Sequence, residues 1–384
     1  MKRNNSEVVV VGAGLAGVCA AVSAARLGAR VTLIEREPVA GGTTTGLRHQ
    51  YLCGLFINSK GMPKHYLNPG LPQEIGGRLS PRIRPLRMGK VWLLPFAHDR
   101  LMSVLTNLLT REKNIKVLYS SRVIACVHKD GQIQSVQVAC GKKPFQVKAE
   151  VFIDAGTGVL LKECGAVQCF EASKRQLSGF ACELGDIPWD DVLPVRVPYV
   201  LYQAVMQGAL PLWSRWTSVS RLGHQGVHLK FSLPAESRLS LAKALCGKVL
   251  KVLRRELPAF QEARIMWRAG DVFSRDGDLL RGKYILLDQD VTTGKKFPDA
   301  VIKGAWPMEC WDPARGPVYQ YPESAYYEMP LRCLQAKGVV NLLAAGRCVS
   351  ATPMAHASLR VGGLCMATGE AAGRAAVAIL SKKG

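Results

Sequence analysis

Residues 7–17, EVVVVGAGLAG, decide the fold of this 384-residue chain. Four valines in a row predict a buried strand, and the glycine-rich turn after them leads into an alanine-rich stretch that predicts a helix. A second apolar run, residues 31–34, predicts another strand and ends at Glu35. This order of strand, glycine turn, helix, strand and acid is typical of a βαβ unit that binds a dinucleotide.

Each glycine of the turn has a separate expected role. Gly12 allows the tight turn, Gly14 lets the backbone approach a pyrophosphate, and Gly17 lets the helix pack close to the strand. The helix N-terminus would offer free N–H groups and partial positive charge to the phosphates. Glu35 stands where a carboxylate accepts ribose hydroxyls. The alternative is a glycine turn in a βαβ unit without a nucleotide.

The bulk composition is that of a globular chain, with 48% apolar and 21% charged residues, and the length suffices for two lobes. The longest apolar run, residues 8–25, fits the nucleotide fold better than a membrane span. Lys2 and Arg3 precede it, but no cleavage region follows. The twelve cysteines never form CxxC, so we expect no metal site and mostly reduced, buried thiols. A reducing cytoplasm is the expected compartment.

A net charge of +22 points to an anionic partner. An anionic substrate, an acidic electron-transfer protein and a nucleic acid all fit it. The densest basic segment holds Arg78, Arg82, Arg84, Arg87 and Lys90, where prolines disfavour a helix. We interpret it as a solvated loop. Because aromatic residues do not alternate with these cations, nucleic-acid binding is not expected.

Periodicity predicts several further elements. They are a helix over 98–112, a strand over 115–119, a hairpin of 123–127 and 133–138 around Asp130-Gly131, a strand over 145–153, a helix over 236–256, a strand over 338–345 and a helix over 362–380. Residues 47–98, rich in Gly, Pro and Arg, are predicted to be irregular.

The sequence pattern changes between residues 166 and 294, where tryptophans and prolines appear. We interpret this stretch as an inserted substrate domain. Residues 1–165 and 295–384 would then form one nucleotide-binding domain that is interrupted by the insertion.

The C-terminal region distinguishes between nucleotide cofactors. Residues 342–352, LLAAGRCVSAT, predict a strand and loop, and residues 355–363, AHASLRVGG, lead into the last helix. A helix that begins at a cofactor stabilises negative charge, such as that on a reduced flavin. The alternative is a packing helix whose small residues serve close contact.

These segments resemble the FAD-dependent oxidoreductase family whose flavin domain is of the glutathione-reductase type. The matching segments are VVVVGAGLAGVCAA, VTLIEREPVAGGTTTG, VFIDAGTGVLLKECGA, the block from YEMPLRCLQ to TGEAAG and, more loosely, SRDGDLLRGKYILLDQDV. The resemblance implies an α/β protein: a Rossmann-like FAD-binding domain with an inserted α+β substrate domain, and FAD bound noncovalently between the two lobes.

The resemblance also implies the FAD contacts, with Val123 meeting the adenine through its backbone and Gly346 and Arg347 on the ribityl-phosphate side. The expected contacts are Gly12, Gly14, Ala16, Gly17, Glu35, Arg36, Gly41, Gly42, Thr43, Val123, Ala155, Gly156, Gly346, Arg347, Leu359 and Val361. The chain departs from the family at residues 48–50 and after Arg275, where basic positions are lost. Both departures fall on the expected substrate side, so a relative's substrate does not transfer.

The chemistry needs a group that takes or gives a proton while hydride moves. His356, just before the last helix, is the first candidate, and His49 is the second. A buried structural histidine is the competing interpretation. Arg360 would hold a substrate carboxylate or stabilise flavin charge, and Arg275 and Arg332 are weaker carboxylate candidates.

The expected function is hydride transfer between FAD and a small anionic substrate, with CH–OH or CH–NH dehydrogenation favoured and alkene reduction as a variant. The electron acceptor would lie outside the chain, as oxygen, a quinone or an acidic redox protein. No second GxGxxG, disulfide-reductase cysteine pair or hydroxylase-type Gly-Asp turn is present. Two alternatives stay open: a flavin-carrying subunit whose basic face docks an acidic partner or RNA, and a dinucleotide-binding regulator. The oligomeric state is open as well.

Overall fold

A computed structural model describes residues 6–81, 84–141, 143–170 and 175–382 of the chain. The helices of the described residues are α1 Leu15–Arg26, α2 Thr43–Gly46, α3 Leu71–Leu79, α4 His98–Arg111, α5 Val159–Glu163, α6 Leu193–Met206, α7 Leu239–Glu256, α8 Asp288–Thr292, α9 Pro353–Leu359 and α10 Gly362–Ser381. The strands are β1 Val8–Val11, β2 Val31–Ile34, β3 Tyr51–Leu52, β4 Leu86–Met88, β5 Val91–Pro95, β6 Ile115–Leu118, β7 Arg122–Lys129, β8 Gln132–Ala139, β9 Phe145–Lys148, β10 Val151–Asp154, β11 Ser178–Gly185, β12 Ser218–Arg221, β13 Gly226–Leu233, β14 Arg264–Arg268, β15 Ala300–Gly304, β16 Met308–Asp312, β17 Gly316–Gln320, β18 Tyr327–Pro330 and β19 Leu342–Ala344.

A parallel five-stranded sheet in the order β19-β10-β1-β2-β6 forms the centre of the molecule. All four residues of β1, β2 and β10 are buried, as expected for parallel strands covered on both faces. Val10 pairs with Ile153 on one side and Leu33 on the other. Because the strands are parallel, their carboxyl ends meet at one edge, which is where α/β sheets bind ligands.

Helices α1 and α10 pack against this sheet and against each other. Their backbones approach each other closely because small residues line the contact between them. A Cβ on Gly369 would lie 2.0 Å from the Ala16 carbonyl oxygen, and one on Gly373 would lie 2.4 Å from that of Ala20. Eleven of the twelve residues of α1 are buried. This close contact fixes where both helices begin.

A second sheet, antiparallel in the order β12-β13-β11-β14, has one apolar and one polar face. Phe180, Leu184, Leu229 and Phe231 of β11 and β13 pack with α6 and α7 in a separate hydrophobic core. Since neighbouring residues of a strand point to opposite faces, Glu183, His228 and Lys230 lie on the other face. The division of the chain into two domains at residues 165 and 295 stays a prediction.

The smaller sheets complete the molecule. One of them, β7-β8-β9, contains the hairpin that Asp130-Gly131 predicts, and both turn residues have positive φ. The others are β3-β5-β4, β15-β18 and β16-β17. The helices predicted over 98–112, 236–256 and 362–380 are confirmed with bounds shifted by at most three residues.

Three predictions of secondary structure were wrong. The strand over 145–153 is two strands, because β9 pairs with β8 whereas β10 enters the parallel sheet beside β1. The strand over 338–345 contains only Leu342–Ala344. Residues 47–98 are not irregular, since they hold α3 and the three strands β3, β4 and β5, and Arg78 lies in α3. Lys2, Arg3 and Arg82 lie outside the described residues.

The contact between α1 and α10 predicts a large effect of one methyl group. Gly369→Ala should lower the free energy of unfolding by about 1–3 kcal/mol, because the new Cβ overlaps the Ala16 carbonyl. Chemical denaturation measures this. Gly77→Ala, in an exposed position of α3 with nothing within 4 Å of the new Cβ, is the matched control and should be neutral or stabilising. Equal effects of the two substitutions would contradict the packing argument.

Candidate flavin site and cationic pocket

The predicted cofactor residues follow the carboxyl ends of the parallel strands. Gly12 comes directly after β1, Glu35 after β2 and Ala155 after β10, while Gly346 lies two residues beyond β19. These strands are neighbours in the sheet, so the four segments meet at one edge. The structure therefore brings the four motifs together, although they are distant in sequence.

Glycines make this edge narrow. Gly12 has φ +93°, and a Cβ there would lie 2.8 Å from the Gly156 Cα. A Cβ on Gly17 would lie 1.7 Å from the Gly12 carbonyl oxygen. Gly42 has φ +54°, and its Cβ would lie 3.0 Å from the Gly14 Cα. Side chains at these positions would push the segments apart.

The start of α1 is suited to hold a pyrophosphate. Its N-cap Gly14 supplies no side chain for capping, and the first turn contains no acidic residue. A twelve-residue helix therefore presents unpaired N–H groups and positive dipole charge between the glycines of two loops. A Cβ on Gly14 would meet only the Gly42 Cα, at 4.0 Å, so the space in front of it is open.

Glu35 is buried beside this loop. Its Oε1 accepts a hydrogen bond from the Glu37 N–H at 2.9 Å, and its Oε2 accepts one from the Ala13 N–H. Each carboxylate oxygen has a second lone pair. These bonds orient the carboxylate at the strand end where ribose hydroxyls are expected.

The other predicted cofactor contacts surround this edge. Gly41 forms a bridge with Gly14, Thr43 begins α2, and Val123 is buried in β7. Arg36 is exposed and forms ion pairs with Glu37 and Asp271. Leu359 and Val361 lie at the junction of α9 and α10; Leu359 is fully buried and Val361 is the N-cap of α10.

A second uncapped helix start lies close to the first. Val361 gives α10 no side-chain cap, and the first turn of α10 has no acidic residue. Gly346, with φ +64°, faces α1, since a Cβ there would lie 2.8 Å from the Ala16 Cβ. Its N–H donates to Thr368 Oγ1 of α10 at 2.9 Å. The twenty-residue α10 thus directs a positive dipole end toward the region expected for the flavin ring.

His356 of α9 is buried and electrically neutral. Burial, with help from the charges of Arg360 and Arg347, lowers the pKa of His356 to about 3. A hydrogen bond to the Arg347 backbone holds the ring, and Nε2 has no partner among the described residues. Nε2 of His356 is therefore a buried polar atom without a hydrogen-bond partner among the described residues.

Two arginines predicted as anion contacts lie side by side. The Arg360 guanidinium donates to the Arg275 carbonyl at 3.3 Å, to Gln176 Oε1 at 3.0 Å and to the Glu309 carbonyl at 2.7 Å. The Arg275 guanidinium donates to the Leu177 carbonyl and lies 4.2 Å from the ring centroid of Trp311. Burial and the Arg360 charge lower the pKa of Arg275 to about 9.

Lys230 of β13 joins this group, and the sequence interpretation missed it. Burial lowers its pKa, with smaller effects from Cys53, Arg275 and Glu309. Burial also lowers the pKa of His49 well below its usual value, with Lys230, His228 and Arg275 as further causes. The sequence GVHLKFSL of β13 offered one signal for Lys230. Polar and apolar residues alternate in this buried strand, so Lys230 and His228, two residues apart, point to the same face.

We call Lys230, Arg275 and Arg360 the cationic pocket, because Arg275 lies beside Arg360 and within electrostatic reach of Lys230. Within the described residues, none of the three forms an ion pair with a carboxylate. The acid that influences all three, Glu309, accepts hydrogen bonds from the Trp306 and Trp311 indole N–H groups at 3.1 and 2.7 Å. Glu309, and Asp276 for the two arginines, stabilise these charges without forming an ion pair. The three cations still outnumber the two acids, so the pocket favours an anion.

A partly buried ion pair connects residues 47–50, the loop after α2, to the second sheet. Arg48, with φ +45°, forms it with Glu183 of β11, and its guanidinium lies 4.4 Å from the Trp267 ring centroid. Glu183 Oε1 lies 3.6 Å from Nδ1 of the fully buried His228. Arg48 thereby holds its neighbour His49 at the polar face of the sheet.

Some features lie away from the pocket. The Arg332 guanidinium forms two hydrogen bonds with the Asp299 carboxylate, so this predicted carboxylate contact is occupied.

No cluster of three or more metal-ligating side chains occurs among the described residues. Six of the twelve cysteines are buried, four are half-buried, and Cys140 and Cys169 are exposed. By length and composition α10 could span a membrane, but 56% of its apolar window is buried.

The fold and the two uncapped helix starts define a nucleotide-dependent α/β enzyme, and a family model identifies which kind. The model of the FAD dependent oxidoreductase family matches residues 7–184 and 215–384. The chain belongs to this family, is an enzyme and uses FAD. The resemblance to the FAD-dependent oxidoreductase family is confirmed, whereas the glutathione-reductase type of the flavin domain stays a prediction.

Individual relatives match smaller parts of the chain or match it at low identity. A phytoene dehydrogenase of Streptomyces griseus is 34% identical over 119 residues, 30% of this chain and 22% of the relative. A 6-methylpretetramide 4-monooxygenase of Streptomyces rimosus is 29% identical over 159 residues, 39% of this chain and 38% of the relative. The chain thus matches well under half the length of these curated relatives. The structure of a p-nitrophenol 4-monooxygenase of Pseudomonas putida is 13% identical, with a TM-score of 0.47, and the match covers 99% of this chain and 81% of that one.

The neutral state of His356 predicts a loss of stability in acid. The unfolded chain takes up a proton near pH 6.5, whereas folded His356 does so only near pH 3, so stability falls as pH drops through this window. The pH dependence of the unfolding free energy should be less steep in His356→Gln. The slope should fall by up to the contribution of one proton, about 1.4 kcal/mol per pH unit.

Unfolding free energies measured from pH 7 to pH 4 test this. The matched control is His65→Gln, at an exposed histidine. If the wild-type and His356→Gln proteins show the same slope, His356 is not held neutral by the fold.

Proposed function

We propose that this FAD-dependent oxidoreductase dehydrogenates a small organic anion at a CH–OH or CH–NH carbon. FAD, held by the glycine loops at the strand ends, supplies the hydride acceptor for this reaction. The chain's own residues must then bind the anion, orient its reacting carbon and take a proton from its oxygen or nitrogen.

The cationic pocket is the observation that carries the proposal. Arg275 and Arg360 are partly buried and form no ion pair within the described residues, and arginine binds carboxylates through two parallel hydrogen bonds. Lys230 adds a third positive charge from the facing sheet. A carboxylate in this pocket would add a directly bonded counter-charge to three cations that have only Glu309 and Asp276 as nearby acids, whereas a neutral substrate would add none.

The proton acceptor is one of two neutral histidines. His49 lies within electrostatic reach of Lys230 and Arg275, beside the proposed anion. His356 lies near Arg360 and keeps Nε2 without a partner. Burial lowers both pKa values, so both rings are unprotonated at neutral pH, and a substrate carboxylate bound beside them would raise their pKa values and make them stronger bases.

This function predicts a strong preference for anionic donors. The FAD-loaded protein is mixed with 2-hydroxy acids and 2-amino acids under anaerobic conditions. Reduction is followed as bleaching of the flavin absorption band at about 450 nm. A carboxylate donor should reduce the flavin, whereas the amide or ester of the same donor should be at least about tenfold less effective. Arg275→Gln should raise the half-saturating concentration of the carboxylate donor by about tenfold or more.

The matched control is Arg111→Gln, at an exposed arginine at the end of α4. It should leave both the half-saturating concentration and the limiting rate unchanged. Equal reduction by acids and their amides, or equal effects of the two substitutions, would overturn the anionic-substrate proposal without touching the assignment of FAD.

A further inference from the structure

One face of α6, together with its N-cap Val192, is apolar and exposed to solvent. Five side chains of this face are exposed: Val192 by 40%, Val195 by 73%, Tyr199 by 61%, Tyr202 by 42% and Met206 by 65%. At 3.6 residues per turn they fall within an arc of about 80°. An exposed helix normally places polar residues on this side, so the stripe requires an explanation.

The stripe is not a misplaced core face, because α6 has a separate inner face. Leu193, Val197, Leu201 and Ala204 lie on the opposite side and pack into the core of the second sheet. Helix α6 contacts both α7 and β12. Both helices cover the same apolar face of the sheet, so their outer sides face solvent together.

The outer side of α7 is strongly basic. Lys243, Lys248, Lys251, Arg254 and Arg255 are exposed there, and the only acid of the helix is its last residue, Glu256. Arg255 pairs with Glu256, and Arg254 donates to a backbone carbonyl. The three lysines form no hydrogen bond or ion pair within the described residues. An apolar stripe thus lies beside a row of free positive charges.

We propose that this α6–α7 surface, formed by the α6 stripe and the α7 lysines, docks on an anionic phospholipid bilayer. Apolar side chains and tyrosines favour the boundary between headgroups and acyl chains, while neighbouring lysines bind the anionic headgroups. The net charge of +22 adds long-range attraction to such a surface. An acidic protein would complement the lysines, but it would leave the five apolar side chains without a matched partner.

Docking at this surface is separable from the chemistry. Lys230, His228 and Glu183 occupy the opposite face of the sheet that α6 and α7 cover. The sheet therefore lies between the bilayer and the cationic pocket. Substitutions on the outer sides of α6 and α7 should leave FAD binding and turnover unchanged.

Vesicle flotation of the FAD-loaded full chain tests this inference. The protein should float with phosphatidylcholine vesicles that contain about 30% phosphatidylglycerol and remain unbound with phosphatidylcholine alone. Raising the salt from about 0.05 M to 0.5 M should release it. Lys248→Glu/Lys251→Glu should weaken binding by at least about tenfold, and Tyr199→Ser/Met206→Ser should weaken it as well.

Two matched variants act as controls. Lys129→Glu/Lys148→Glu makes the same change in net charge on the separate β7-β8-β9 sheet, and Phe145→Ser/Val340→Ser removes exposed apolar side chains elsewhere. Both should bind vesicles like the wild-type protein. Failure to float with either vesicle, an equal loss in the controls, or tight binding to an acidic protein without vesicle binding would overturn the proposal.

Discussion

The close contact between α1 and α10 is the constraint on which the rest of the structure depends. It exists because Gly369 and Gly373 let α10 approach the backbone of α1 at Ala16 and Ala20. Since both helices also pack on the parallel sheet, their N-termini come to the same sheet edge, where the glycine loops after β1 and β10 meet. Two positive helix ends beside a narrow glycine cradle favour a dinucleotide with a pyrophosphate at one end and a reducible ring at the other.

The second sheet contributes a separate hydrophobic core and a face of charged side chains. Its apolar face builds a separate core with α6 and α7, and its polar face places Lys230 and Glu183 toward the loop after α2. The Arg48–Glu183 pair fixes this loop to the sheet. One antiparallel sheet thus performs three tasks: it contributes to the cationic pocket, it positions His49, and it supports an outer surface that can bind a partner.

The sequence predicted the nucleotide-binding unit well because its signals are local. Gly12, Gly14, Gly17 and Glu35 follow one another within a single βαβ unit, and the Asp130-Gly131 hairpin is equally local. The break of the strand over 145–153 was missed because an unbroken run of alternating residues does not show that its two halves pair with different sheets. Lys230 was missed because its closeness to Arg275 arises only from tertiary packing.

The most direct measurement is a crystal structure of the FAD-loaded protein soaked with a small carboxylate. We expect the pyrophosphate at the start of α1, the flavin ring near the start of α10, and the carboxylate bound by Arg275, Arg360 and Lys230 beside the ring. A flavin ring on the other side of the sheet edge, or a cationic pocket that the carboxylate does not enter, would contradict this expectation.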